Sequence, residues 1–103
     1  MKTTIFALTM VLFLVSRTYS QTQTSYSNHP WFKVEKINEK VWRINDGDIG
    51  NIYLIEGRDS ALLIDTGIGS ANLNAFINIL TSLPVIVVNS HSHPDHSGSN
   101  HQF

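Results

Sequence analysis

The sequence contains no cysteine. Disulfides are therefore excluded, as is the lipid-attachment thiol of an exported lipoprotein, so stability has to come from a core or from a metal held by other side chains. Charge is also sparse. Only 15% of the 103 residues are Asp, Glu, Lys or Arg and the formal net charge is −1, which excludes a strongly basic nucleic-acid binder. With 42% hydrophobic residues the chain is not compositionally disordered, and with three prolines and six glycines it is not collagen-like. Long apolar runs are missing too. The longest, Ile5 to Val15, is interrupted by Thr9 and followed by Arg17, short of the about 20 residues that a membrane span needs.

That run is read as the core of a secretory signal over residues 1–20. Lys2 supplies the positive start, and Thr18-Tyr19-Ser20 offers small residues where a signal peptidase cuts, before Gln21. A retained N-terminal anchor is the alternative. Cleavage would remove Lys2 and Arg17 and leave five basic against eight acidic residues, a net charge of −3, on about 83 residues. The expected product is exported (secreted or periplasmic), without a stable membrane span and without a nucleic-acid partner. A chain of that length buries only about 60% of its unfolded surface and is marginal alone.

Residues 21–30 begin with the polar, aperiodic QTQTSYSN and read as a flexible spacer, with order beginning near His29-Pro30-Trp31. From 31 to 103 the pattern is layered α/β. Phe32 to Ile44 reads as a hairpin or two successive short strands with a turn at Asn38-Glu39-Lys40, Asp46 to Gly50 as a loop, and Asn51–Glu56 and Ala61–Ile64 as strands. The last two are almost continuously apolar, which predicts strands covered on both faces. Asp65 to Gly69 ends that pair. Ser70 is placed to cap a helix whose Leu73, Phe76, Ile77 and Leu80 share one face, and Pro84 closes the helical region. Val85 to Val88 then reads as a fully buried strand. Trp31 and Trp42 are read as packing residues and Asp46 and Asp48 as loop acids.

Immediately after this strand stand His91, His93, Asp95 and His96, four groups able to bind a divalent metal within six residues. If the extended conformation persists past Val88, His91 and His93 lie on one side with Cα atoms roughly 6.6 Å apart, close enough for two imidazoles to reach one ion at about 2.0–2.1 Å. Pro94 keeps His93 extended. Asp95 and His96 are displaced past the proline and could serve a second ion, as in two-metal sites about 3.5–4 Å across. A closed structural zinc site is the weaker alternative, because such sites are generally cysteine-rich and more widely spaced. His29 and His101 read as polar caps. Asp65 read by itself is a turn aspartate bonding its own backbone before Gly67.

The motif His91-x-His93-x-Asp95-His96 resembles the metal-binding signature of the metallo-β-lactamase-fold hydrolases. Gly50-Asn51-Ile52-Tyr53-Leu54-Ile55-Glu56-Gly57 and Leu62-Leu63-Ile64-Asp65-Thr66-Gly67 are similar to the first strands of that family. The resemblance implies the N-terminal half of an αββα sandwich, truncated, and up to two zinc ions, one on His91 and His93 and the other on Asp95 and His96. It makes Asp95, linked to the metal, and Asp65, close beside it, the catalytic candidates. Zinc would make hydroxide available near neutral pH for attack on an ester, thioester, lactam or related bond of a small-molecule substrate. Asp95-His96 argues against the β-lactamase subgroup that replaces the histidine beside the aspartate. Complete members add a histidine, a bridging aspartate and a final histidine from their second half. Without them each zinc keeps two ligands where catalytic zinc usually has three, and Leu54, Leu63 and Val87 would face a missing layer. The expectation is an N-terminal fragment inactive alone. An exported, non-catalytic metal-binding or interaction protein is the alternative.

Overall fold

The computed structural model describes residues 28–103, so the signal and all but the last residues of the spacer lie outside the described part. Its five strands are β1 (Phe32–Asn38), β2 (Val41–Asp46), β3 (Gly50–Glu56), β4 (Ala61–Ile64) and β5 (Val85–Val88), arranged in one sheet in chain order. The first four run antiparallel, as short turns allow, whereas β5 lies parallel to β4. A parallel neighbour requires a crossover. It is supplied by helix α1 (Leu73–Leu80), which crosses one face of the sheet and buries the Leu73, Phe76 and Ile77 side chains that its sequence spacing aligns.

The pleat determines what that helix covers. Trp42 and Ile44 of β2, Ile52 and Leu54 of β3, and Ala61 and Leu63 of β4 alternate along their strands and join Phe32 and the α1 residues in one buried cluster. Among the described residues nothing covers the opposite face. Over β3 to β5 it presents Tyr53, Ile55, Leu62, Ile64, Ile86 and Val88, brought side by side by the pairing register. Ile86 remains 55% and Val88 48% exposed, so β5 is not fully buried and β3 and β4 are covered on one face only. Leu54, Leu63 and Val87 point to the helix side, and it is their neighbours in sequence that lack a cover. Apolar composition alone does not say which side of a strand meets the helix.

Two boundaries also differ from the sequence pattern. The cap of α1 is Asn72, whose side chain accepts a hydrogen bond from the Ala75 amide at 3.0 Å, and not Ser70. The helix stops at Leu80, with Thr81 already extended, before Pro84 is reached. Asn72→Ala is expected to cost about 1 kcal/mol, read as a lower urea midpoint at unchanged slope. Among the described residues no helix is long and apolar enough to cross a membrane.

Candidate metal centre

The parallel pairing of β4 and β5 brings their C-terminal ends together. Asp65, the first residue beyond β4, donates its amide to the Val88 carbonyl at 2.8 Å. The β4 chain then turns through Asp65 at φ 68 and Gly67 at φ 69. The left-handed region is tolerated by aspartate and free for glycine. The β5 chain bends at Ser90 and His91, and its sheet conformation ends at Val88, so the extended path to His93 expected from the sequence is not formed. The two rings nevertheless stand edge to face with centroids 4.7 Å apart.

After them comes a single helical turn, α2 (Pro94–Ser97). His93 keeps φ −64 and ψ 144, the extended backbone required before proline, and Pro94 opens the turn where its missing N–H costs nothing. The turn carries Asp95 and His96 back toward His91. The His91 and His96 ring centroids are 4.0 Å apart, and His96 Nε2 lies 3.4 Å from Asp95 Oδ2. His91 and His93 are exposed, while Asp95 and His96 are half-buried.

Two loops hold this segment. The Thr66 amide donates to the His96 carbonyl at 2.9 Å and the Gly98 amide to the Gly67 carbonyl at 2.7 Å. Gly98 sits so close to the β4 loop that a Cβ there would lie 2.4 Å from the Ile68 carbonyl carbon. Beneath the histidines is Asp65, 5% exposed. Its Oδ1 accepts the Ser90 amide at 2.7 Å, and its Oδ2 accepts the Ser90 hydroxyl at 2.7 Å and lies 2.9 Å from His96 Nδ1. Those partners are 25 and 31 residues along the chain, not the adjacent turn. Burial pushes its pKa up, but the Ser90 main-chain and hydroxyl bonds and the nearby His96 outweigh that, and the net direction is down from 3.8.

Several positioning residues were not singled out by the sequence. Asn89 and Asn100 exchange side-chain hydrogen bonds at 3.1 and 2.7 Å; Asn100 Oδ1 also accepts the Thr66 hydroxyl at 2.7 Å, and Asn89 Nδ2 donates to the His96 carbonyl at 3.0 Å. The one visible signal was an asparagine on either side of the histidine cluster. Asp46 is not a loop acid. It ends β2, is 2% exposed, and accepts the Trp31 indole N–H at 2.7 Å and the Ile68 amide at 2.8 Å, tying the chain entry to the β4 loop. His29 caps β1, accepting the Trp31 and Phe32 amides at Nδ1, while His101 is exposed on a 3-10 turn (Asn100–Gln102).

The donors suit a divalent metal in kind, being three imidazoles and a carboxylate in the segment that follows β5. His91 and His96 each have Nδ1 engaged, His91 by the Ser90 hydroxyl at 2.9 Å, which leaves Nε2 as the nitrogen for a ligand. Among the described residues, no three His, Asp or Glu side chains are gathered as the sphere of a single ion.

The family model of the metallo-beta-lactamase superfamily matches residues 45–103, from the end of β2 through the histidine segment. The chain belongs to the metallo-beta-lactamase superfamily. Its sheet and helices are an α/β metallo-beta-lactamase-like layer, similar to the crystal structure of the DIM-1 metallo-beta-lactamase exposed to ceftazidime, with a TM-score of 0.54 at 16% identity. That similarity covers 68% of this chain and 37% of the other, so the chain spans well under half of that metallo-beta-lactamase's length. None of the curated proteins matches the chain.

Proposed function

We propose that the chain supplies the first ligand segment of a zinc-dependent hydrolase that cleaves an ester, thioester, lactam or related bond in a small molecule. The carrying observation is the gathering of His91, His93 and His96 with Asp95 at the strand ends, with His96 anchored on buried Asp65. In this reading His91 and His93 serve one ion, Asp95 and His96 a second, and Asp65 orients the His96 ring. Bound zinc supplies Lewis acidity, which makes water acidic enough to ionise near neutral pH and stabilises a developing oxyanion. The remaining ligands come from outside the described residues, in a second layer on the open apolar face. The 37% coverage of the structural relative supports that reading, as do the exposed Ile86 and Val88. Secretion or periplasmic export of the product, by way of the signal read at residues 1–20, belongs to the same proposal.

The second reading is an exported metal-binding or interaction protein without catalysis. Calorimetric titration of the metal-free chain with zinc is expected to show weak binding, weakened at least about tenfold by His93→Ala, and negligible turnover of ester or lactam substrates. Absence of binding overturns the metal-site reading. Turnover by this chain alone, lost in His93→Ala, overturns the need for further ligands. Supplying a second layer from a complete superfamily hydrolase, in trans or in cis, separates the two readings, because only the hydrolase gains activity.

A further inference from the structure

The hydrogen bonds around Ser90 have only one consistent proton arrangement. Asp65 Oδ1 accepts the Ser90 amide and Oδ2 meets both the Ser90 hydroxyl and His96 Nδ1, the arrangement of a carboxylate whose oxygens accept. The Ser90 hydroxyl has one proton, and at 2.7 Å from Asp65 Oδ2 it must give that proton to the carboxylate. What remains on Ser90 Oγ is lone pairs, 2.9 Å from His91 Nδ1. That contact is a hydrogen bond only if His91 carries its proton on Nδ1. The same carboxylate oxygen lies 2.9 Å from His96 Nδ1, which must likewise be the protonated nitrogen.

We infer that Ser90 is a positioning residue that relays the Asp65 carboxylate to His91, so that one buried acid fixes the Nδ1–H tautomer of two imidazoles, His96 directly and His91 through the serine hydroxyl. Both rings then present the Nε2 lone pair. The proton placement follows from donor and acceptor chemistry alone; its use in metal capture rests on the function proposed above. A serine suits the relay because its hydroxyl can donate to one partner while accepting from another. It also lies directly before His91, and its own amide is fixed by Asp65 Oδ1, so the relay hydroxyl has little freedom to swing away. His93 has no such partner among the described hydrogen bonds, and its tautomer is left to whatever it binds.

The test uses the full metal-free chain, 15N-labelled, with two-bond proton–nitrogen correlation of the imidazole rings under conditions where they are neutral. In the wild type, His91 and His96 are expected as Nδ1–H tautomers. Ser90→Ala should move His91 toward the Nε2–H form that an unrestrained histidine favours, changing its tautomer ratio about tenfold, as the loss of one hydrogen bond allows, while His96 stays as it was. Ser90→Thr, which keeps a hydroxyl, should restore the His91 pattern. A purely structural role for Ser90 would disturb both rings or neither. Finding His91 as Nε2–H in the wild type overturns the relay, as does an unchanged His91 in Ser90→Ala. Should Ser90→Ala not fold, the wild-type and Ser90→Thr spectra still decide it: Nδ1–H at His91 in both supports the relay, and Nε2–H in either refutes it. The result is independent of the zinc titration, so a chain with the predicted tautomers and no zinc affinity would sink the proposed function and leave the relay standing.

Discussion

Gly98→Ala is expected to destabilise the chain by about 3 kcal/mol and to abolish the zinc binding proposed for it. The new methyl group would have to occupy space 2.4 Å from the Ile68 carbonyl carbon, 2.5 Å from its oxygen and 2.7 Å from the Gly67 oxygen. All three are main-chain atoms, and no side chain can rotate out of the way. The cheapest relief is to separate the two loops, which gives up the Gly98-to-Gly67 bond and strains the Thr66-to-His96 bond beside it. His96 would then drift from Asp65. Gly50 provides the control, since a Cβ there meets nothing within 4 Å, and Gly50→Ala should stay within about 0.5 kcal/mol of the wild type. Urea unfolding of both variants checks the claim. Equal midpoints for the two would show that the close approach of the loops does not hold the site.

Asp65→Ala is expected to cost about 2–4 kcal/mol. The substitution leaves the Ser90 amide, the Ser90 hydroxyl and His96 Nδ1 without their common acceptor, and it places alanine at φ 68, which an L side chain without a local polar partner resists. Asp65→Asn separates these contributions. Asparagine tolerates the left-handed backbone and can still offer one oxygen, so about half of the loss should be recovered. The acid dependence is fixed by the direction of the shift. Because the folded chain holds Asp65 below 3.8, its contribution in the metal-free protein is complete above that value and disappears as the pH falls through the lower folded value. The difference between wild type and Asp65→Asn should therefore shrink as the pH falls below about 3.8. A gap that stayed undiminished in acid well below 3.8 would contradict the assignment.

The strands and the helix were legible because their information is local. The turn at Glu39-Lys40, the alternating residues of β2 and the three- and four-residue offsets of Leu73, Phe76, Ile77 and Leu80 each announce a period without help from the rest of the chain. Ser70 and Asn72 are both competent caps, and only the path of the loop through Gly69 decides between them. Likewise Val85-Ile86-Val87-Val88 carries no mark of which pair meets α1. The histidine cluster was visible as composition. Its supports were not, because the role of Ser90 depends on an acid 25 residues away and that of Asp46 on a tryptophan 15 residues before it. Serine and aspartate at those positions are locally indistinguishable from ordinary turn residues.

Among the described residues, the strand that delivers the histidines is also one of the two edge strands of the sheet. Among the described residues β5 is paired with β4 on one side only, so the amides and carbonyls along its other edge are free to bond a further strand. Its sequence, VIVV, has no charge, proline or bulge to discourage that, and four β-branched residues favour it. Whatever eventually lies beside β5 therefore serves as a guard against stacking of one chain upon the next as well as a structural neighbour. The histidine segment begins three residues beyond Val88, so a strand paired along that edge would end beside it.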